Sequence, residues 1–147
     1  MNIINTDIVN PEYDVLWDEL AEAVKDLPAK DILILVNTFT PGGTEEAQLQ
    51  KMLLACKLLP ESYNILQLEK DKLIAWHRLR EWIDPKIVFL IGILPSQLGI
   101  SSLFKLNAPN HFNDRTWLAT VSLNELELNP EAKKQLWNEG MKVVFGA

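Results

Sequence analysis

Ile32-Leu33-Ile34-Leu35-Val36 follows Asp31 as an unbroken apolar run. A strand with one wet face alternates apolar and polar side chains, whereas one covered on both faces reads as a continuous apolar segment of this kind. Asn37 to Gly43 then forms a loop with Pro41 and two glycines, and Thr44 to Leu58 reads as a helix with Leu49, Met52, Leu53 and Cys56 facing inward. Strand, loop and helix make the first half of a crossover unit.

The pattern repeats downstream. Tyr63 to Leu68 reads as a second strand, followed by a helix capped by Asp71 with Leu73, Trp76, Leu79, Arg80 and Ile83 along one stripe. Asp84 and Pro85 end that helix, and Lys86 to Ile91 reads as a third strand. Strands alternating with helices predict an α/β fold, a three-layer sandwich with a mostly parallel central sheet of about four to five strands. Beyond Gly92 the expected elements are shorter: a helical turn over Pro95 to Leu98, a strand over Leu103 to Leu106, a polar loop from Asn107 to Thr116, and a strand over Trp117 to Val121. Ser122 and Glu125 match a capping box. Asn129 and Pro130 stand at the N-cap and first position of a final helix running to about Val144, with Leu136, Trp137, Met141 and Val144 toward the core.

Upstream of the first strand, Asn10, Pro11 and Glu12 open a helix in the same manner. Tyr13, Leu16, Trp17, Leu20, Val24 and Leu27 recur at helical spacing, opposite Asp18, Glu19, Glu22 and Lys25. The expected organisation is a single domain over residues 1–147, with residues 1–10 a short tail and residues 11–27 an amphipathic helix.

With 147 residues, such a domain buries about two-thirds of its extended-chain surface. Hydrophobic residues make up 48% and charged residues 23%, a balance that opposes wholesale disorder. No segment reaches the roughly 18 apolar residues of a membrane span, and Met1 to Val9 lacks the basic and apolar regions of a secretory signal. A cytoplasmic protein without membrane contact is the expectation. Fourteen Lys and Arg against twenty Asp and Glu give a net charge of −6 without a basic block. Tight sequence-independent nucleic-acid binding draws on clustered positive charge, so a protein or small-molecule partner is favoured over nucleic acid. The lone Cys56 among apolar neighbours reads as a buried thiol.

The segment Ser122-Leu123-Asn124-Glu125-Leu126-Glu127-Leu128-Asn129-Pro130-Glu131-Ala132-Lys133-Lys134-Gln135-Leu136-Trp137 resembles the closing segment of the psi subunit of bacterial DNA polymerase III, in which Asn-Pro leads into a helix bearing Leu-Trp. The strand Leu33 to Asn37 is similar to the first core strand of that family. The resemblance extends loosely over Lys30 to Trp137. It implies a small α/β fold related in shape to uracil-DNA glycosylases but without glycosylase activity. It also implies an accessory role in the clamp-loader assembly, bridging it to the chi subunit and through chi to single-strand binding protein. In the family an extension that engages the clamp loader precedes the core strand; here Met1 to Val9 and the acidic helix from Pro11 stand in that place.

Two sets of candidate residues follow. An interface set comprises Tyr13, Trp17 and Leu20 on the first helix, Trp82 on the middle helix and Trp137 on the last, because aromatic anchors among polar residues characterise protein interfaces. A ligand-crevice set comprises Asn37, Thr38, Gly42, Gly43, Thr44 and His111. Loops after parallel strands hold ligands in α/β proteins, and a helix start can hold an anion. Thr40-Pro41-Gly42-Gly43-Thr44 nevertheless lacks both G-x-G-x-x-G and the G-K-[ST] ending of a P-loop, so a structural turn with a helix cap competes with a nucleotide site. By resemblance to glycosylases, Asn37 and His111 are the nearest counterparts of a water-activating side chain and a later His. His111 has Asn110, Asn113 and Asp114 nearby, whereas His77 reads as a helix-surface residue. Glu45 and Glu46 fit the first turn of a helix, where its field favours negative charge. No carboxylate cluster or Cys/His spacing points to a metal, and no cofactor is expected. A non-catalytic protein-binding subunit therefore stands against a glycosylase-like or hydrolytic enzyme with a crevice near Thr38, Gly42 and His111, and against a nucleotide-binding regulator.

Overall fold

The computed structural model describes Val24, residues 27–69 and residues 72–146. Strands β1 (Ile32–Asn37), β2 (Tyr63–Leu68) and β3 (Ile87–Ile91) fall where the apolar runs predict them. Helix α1 (Thr44–Ala55) joins the first two and α2 (Trp76–Trp82) joins the second to the third. Strands β4 (Pro109–Phe112) and β5 (Arg115–Thr120) complete a five-stranded sheet of order β2-β1-β3-β5-β4. All neighbours are parallel except β4 and β5. Helix α3 (Leu123–Leu128) follows, then a continuous terminal helix with α4 (Pro130–Gln135), a π-helical segment (Leu136–Met141) and α5 (Lys142–Phe145).

The three-layer sandwich explains the run at Ile32. Ile32, Ile34 and Val36 pack with Phe89, Ile91 and Leu118 against Leu49, Leu53, Cys56, Leu126, Leu136 and Met141. Leu33 and Leu35 point the other way, with Val88, Leu90 and Trp117, onto Val24, Ile74, Trp76, Leu79 and Ile83. Side chains alternate between faces, and both faces are covered, so every position is apolar. Burial of Leu33, Ile34 and Leu35 is complete, and each such side chain contributes about 1.5–3 kcal/mol relative to exposure.

The helix caps also follow local chemistry. The Ser122 hydroxyl accepts from the Glu125 N–H at 3.2 Å, and the Asn129 side chain accepts from the Ala132 N–H at 3.2 Å, with Pro130 next in line. Pro95–Leu98 forms the expected turn, of 3-10 type.

Three local expectations are corrected. Leu103 to Leu106 is not a strand; Leu106 alone makes one parallel bridge, to Ala119. The sheet's outer strand is β4, inside the stretch read as a polar loop. Asn113 and Asp114 both take positive φ, 57° and 60°, which is the two-residue hairpin geometry that joins β4 to β5. Finally, α2 starts at Trp76, not near Asp71, which lies outside the described residues along with Lys70. The Ile74 N–H donates to Gln97 O at 2.8 Å and the Gln97 amide donates to Lys72 O at 2.8 Å, so this stretch is tied to the 3-10 turn and is not free to wind. Most of the expected helix over residues 11–27 also lies outside the described residues; Val24 is helical and fully buried.

The π segment packs closely on the sheet. A Cβ on Gly140 would stand 2.8 Å from Leu118 Cδ1 and 3.1 Å from Asn107 O, so glycine lets the terminal helix lie directly on β5. Asn107, itself buried, accepts from Thr120 Oγ1 at 2.6 Å and donates its N–H to Ala119 O at 2.8 Å, binding the preceding loop to the same strand.

Candidate functional site

From β1 the chain goes out to β2 and returns past β1 to β3, so β1 and β3 flank the point where the sheet changes direction. In doubly wound sheets the crevice beyond the carboxyl ends of strands at such a point is the usual ligand site. A cavity of about 810 Å³ opens there. It is lined by Asn37 and Thr38 at the end of β1, Gly92 to Leu94 after β3, Thr120 to Ser122 at the end of β5, Ile100 to Phe104 with Leu106 from the following loop, and Glu125.

Gly92 shapes this mouth. Its φ is +74°, its N–H donates to Thr120 O at 3.0 Å, and a Cβ there would meet Asn37 Oδ1 at 2.0 Å and Ser122 Cα at 3.0 Å. The Asn37 side chain thus folds over the glycine and, among the described residues, makes no hydrogen bond. Two hydroxyls of the lining are already engaged, Thr120 with Asn107 and Ser122 with the start of α3. Glu125 is the sole ionisable residue of the lining. The rim is apolar: Leu103 is 99% exposed, Leu94 64% and Leu106 48%.

The expected crevice set divides among separate places. Asn37 and Thr38 line the switch-point cavity, while Gly42 and Gly43 do not. Gly43 is the N-cap of α1, and the Gly42 N–H donates to Glu46 Oε1 at 3.0 Å. The helix's own carboxylate therefore takes a donor that an anionic ligand would use, which favours the structural turn over the nucleotide site. Thr44 lines a different groove, over α1.

His111 is elsewhere. It sits on β4 level with Thr116, Ile87 and Ile32, at the amino end of the parallel strands. Five residues along β1 and three strand spacings separate that level from Asn37, roughly 20 Å at about 3.3 Å per residue and about 4.8 Å per strand. The antiparallel turn of β4 causes this separation, and a crevice joining Thr38, Gly42 and His111 is not formed. His77 is exposed on α2, as its sequence position predicts. Among the described residues no group of three or more His, Cys, Asp or Glu is arranged to hold a metal, and no helix is long and apolar enough to cross a membrane.

Of the interface set, Tyr13, Trp17 and Leu20 lie outside the described residues. Trp82 is 45% exposed at the end of α2. Trp137 is half-buried and lines the groove between α1 and the terminal helices, a cavity of about 500 Å³. By contrast, Trp76 and Trp117 are core, meeting edge to face with centroids 4.8 Å apart.

Sequence reasoning did not single out Leu94, Leu103, Leu106 or Gln48. Leu103 to Leu106 carries an apolar signature that strand and exposed rim share. Gln48, in the middle of α1, is buried, and its Nε2 is the one enclosed side-chain polar atom among the described residues with no hydrogen-bond partner. Its place beside the inward-facing Leu49 and one turn before Met52 of the same helix was the only available signal. No family model matches the chain, and comparison with curated proteins gives no match.

Proposed function

We propose that this chain is a non-catalytic protein-binding accessory subunit that takes its partner at the carboxyl edge of the sheet. The observation that carries this reading is the grouping of Leu94, Leu103 and Leu106, all exposed, around one crevice. Contiguous exposed apolar side chains rimmed by polar groups mark interaction sites, and burying each leucine in a partner contributes up to about 1.5–3 kcal/mol. Neutral amide and hydroxyl groups in the crevice, Asn37, Thr38, Ser101 and Ser102, offer hydrogen bonds to a peptide without demanding charge. The resemblance to the polymerase III psi family supports a replication partner, the clamp loader or a protein bridged to it, in the cytoplasm.

Affinity capture from native cytosol with the full chain tests this. Clamp-loader subunits are expected, and Leu103→Asp is expected to lose them while the circular dichroism spectrum is unchanged. Recovery that is insensitive to Leu103→Asp would overturn the proposed surface, and absence of replication proteins would overturn the assignment of partner.

One observation favours a second reading. The unpaired Asn37 carboxamide offers a donor and an acceptor to the crevice, the pairing that the edge of a pyrimidine base requires. Under this glycosylase-like reading, uracil-containing single-stranded DNA is processed and Asn37→Ala abolishes the activity. No release of uracil by the intact chain would dispose of it.

A further inference from the structure

The groove over α1 is separate from the switch-point crevice and has a different character. Its walls are Met52 from α1, Leu126 from α3, and Trp137 and Met141 from the π segment. π-Helical turns are rare and concentrate at functional sites. At about 500 Å³ the groove falls within the range of small-molecule pockets.

Two polar features of the groove point to one kind of occupant. Gln48, nine-tenths buried on the groove wall, has an amide nitrogen with no partner. Buried donors are almost always paired, and the terminal torsion of glutamine is soft enough to turn its N–H toward an acceptor in the groove. At the rim Lys133 pairs with Glu127 at 3.3 Å, whereas Lys51 is exposed and makes no ion pair among the described residues. The rim therefore carries one uncompensated positive charge on a chain whose net charge is −6.

We propose that this groove binds an amphipathic monocarboxylate, with its hydrocarbon body against Met52, Leu126, Trp137 and Met141 and its carboxylate accepting hydrogen bonds from Gln48 and Lys51. The carboxylate satisfies the orphan amide and neutralises Lys51, and the apolar body covers the groove. This ligand site does not depend on the protein-docking reading of the crevice.

Decanoate and decan-1-ol are the probes, titrated below micelle formation into the full chain and read by the Trp137 indole and Gln48 carboxamide proton resonances. Decanoate is expected to saturate one site and move both resonances, binding at least about tenfold tighter than the alcohol. Lys51→Glu, a change at an exposed position, is expected to weaken decanoate by about tenfold or more. Ala47→Trp, on the groove edge of α1, is expected to abolish binding by filling the space. Absence of saturation, equal binding of the alcohol, or binding indifferent to Lys51→Glu would each overturn the proposal. Should Ala47→Trp fail to fold, the Lys51→Glu and alcohol comparisons decide it.

Discussion

The carboxamide oxygen of Asn37 lies so close over the α-carbon of Gly92 that a Cβ added there would stand 2.0 Å from it. Two strand ends thus meet through a glycine with φ +74° and the side chain it makes room for. Gly92→Ala is expected to cost about 2–4 kcal/mol, from a left-handed φ and from overpacking. Adding Asn37→Ala should recover the part due to the side-chain clash, with a coupling of about 1 kcal/mol or more, while the φ strain and the contact with Ser122 persist. Urea unfolding of both single variants and the double variant measures it; strictly additive losses would contradict the contact.

Arg115 ties the β4–β5 hairpin to α2. Its guanidinium lies 5.2 Å from the centroid of the Trp76 ring, donates to Pro85 O at 2.8 Å and to Asn113 O at 2.7 Å, and pairs with Asp84. The Arg115 side chain is 14% exposed and that of Asp84 76%. Removal of Arg115 takes the donor from the partly buried Pro85 and Asn113 carbonyls and the cation from the Trp76 ring, so Arg115→Ala is expected to cost about 2 kcal/mol. Asp84→Asn should cost under about 1 kcal/mol, because an exposed ion pair is screened by water. Equal losses in the two variants would show that the ion pair, and not the partly buried fork, holds the hairpin.

Burial pushes the Cys56 thiol up from 9.0 to about 11. Between those values the unfolded chain releases the proton that the folded chain retains. The unfolded state then binds fewer protons, so this group's contribution makes stability fall as pH rises through that window. Thermal unfolding of wild type and Cys56→Ala from pH 8 to pH 11 is expected to show a steeper decline in the wild type. Alkylation by iodoacetamide at pH 8 should be slow until denaturant is added, since the thiolate is the nucleophile and the sulfur is enclosed.

Gln48→Met keeps the length and volume of the side chain and removes the unpaired amide. An unsatisfied buried donor costs about 1–3 kcal/mol, so the variant is expected to be more stable by about 1 kcal/mol in chemical denaturation. A destabilised Gln48→Met would show that the amide is satisfied in solution by a group such as water.

Much of the fold is legible because its determinants are local. The caps at Ser122 and Asn129 need only the residues within the next turn, and both N-cap bonds form, although the Glu125 carboxylate faces the Ser122 hydroxyl at 3.5 Å and not the backbone N–H that a full capping box would use. The candidate site is less legible because its residues converge from distant strand ends. Asn37 and Thr38 fall in the crevice because a loop after a buried strand must lie at that edge. His111 does not, since Asn113 and Asp114 turn β4 back along β5, and that dipeptide signal lay within a stretch whose polar residues read as loop. Leu103 exposes nearly all its surface despite an apolar neighbourhood in sequence, because the chain there connects the 3-10 turn to Asn107 and touches the sheet only at Leu106, through its bridge to Ala119.

What the amino-acid order determined by itself was the succession of strands and helices and the burial of both faces of β1: a run such as Ile32 to Val36 has nowhere stable to go except between two covering layers. What only the tertiary structure decided was the strand order, the place of β4 and the company that Asn37, Leu103 and Gln48 keep. Periodicity depends on neighbours a few residues away, whereas a crevice or a groove is made by side chains that meet only after the sheet has closed and the terminal helix has settled on it through Gly140.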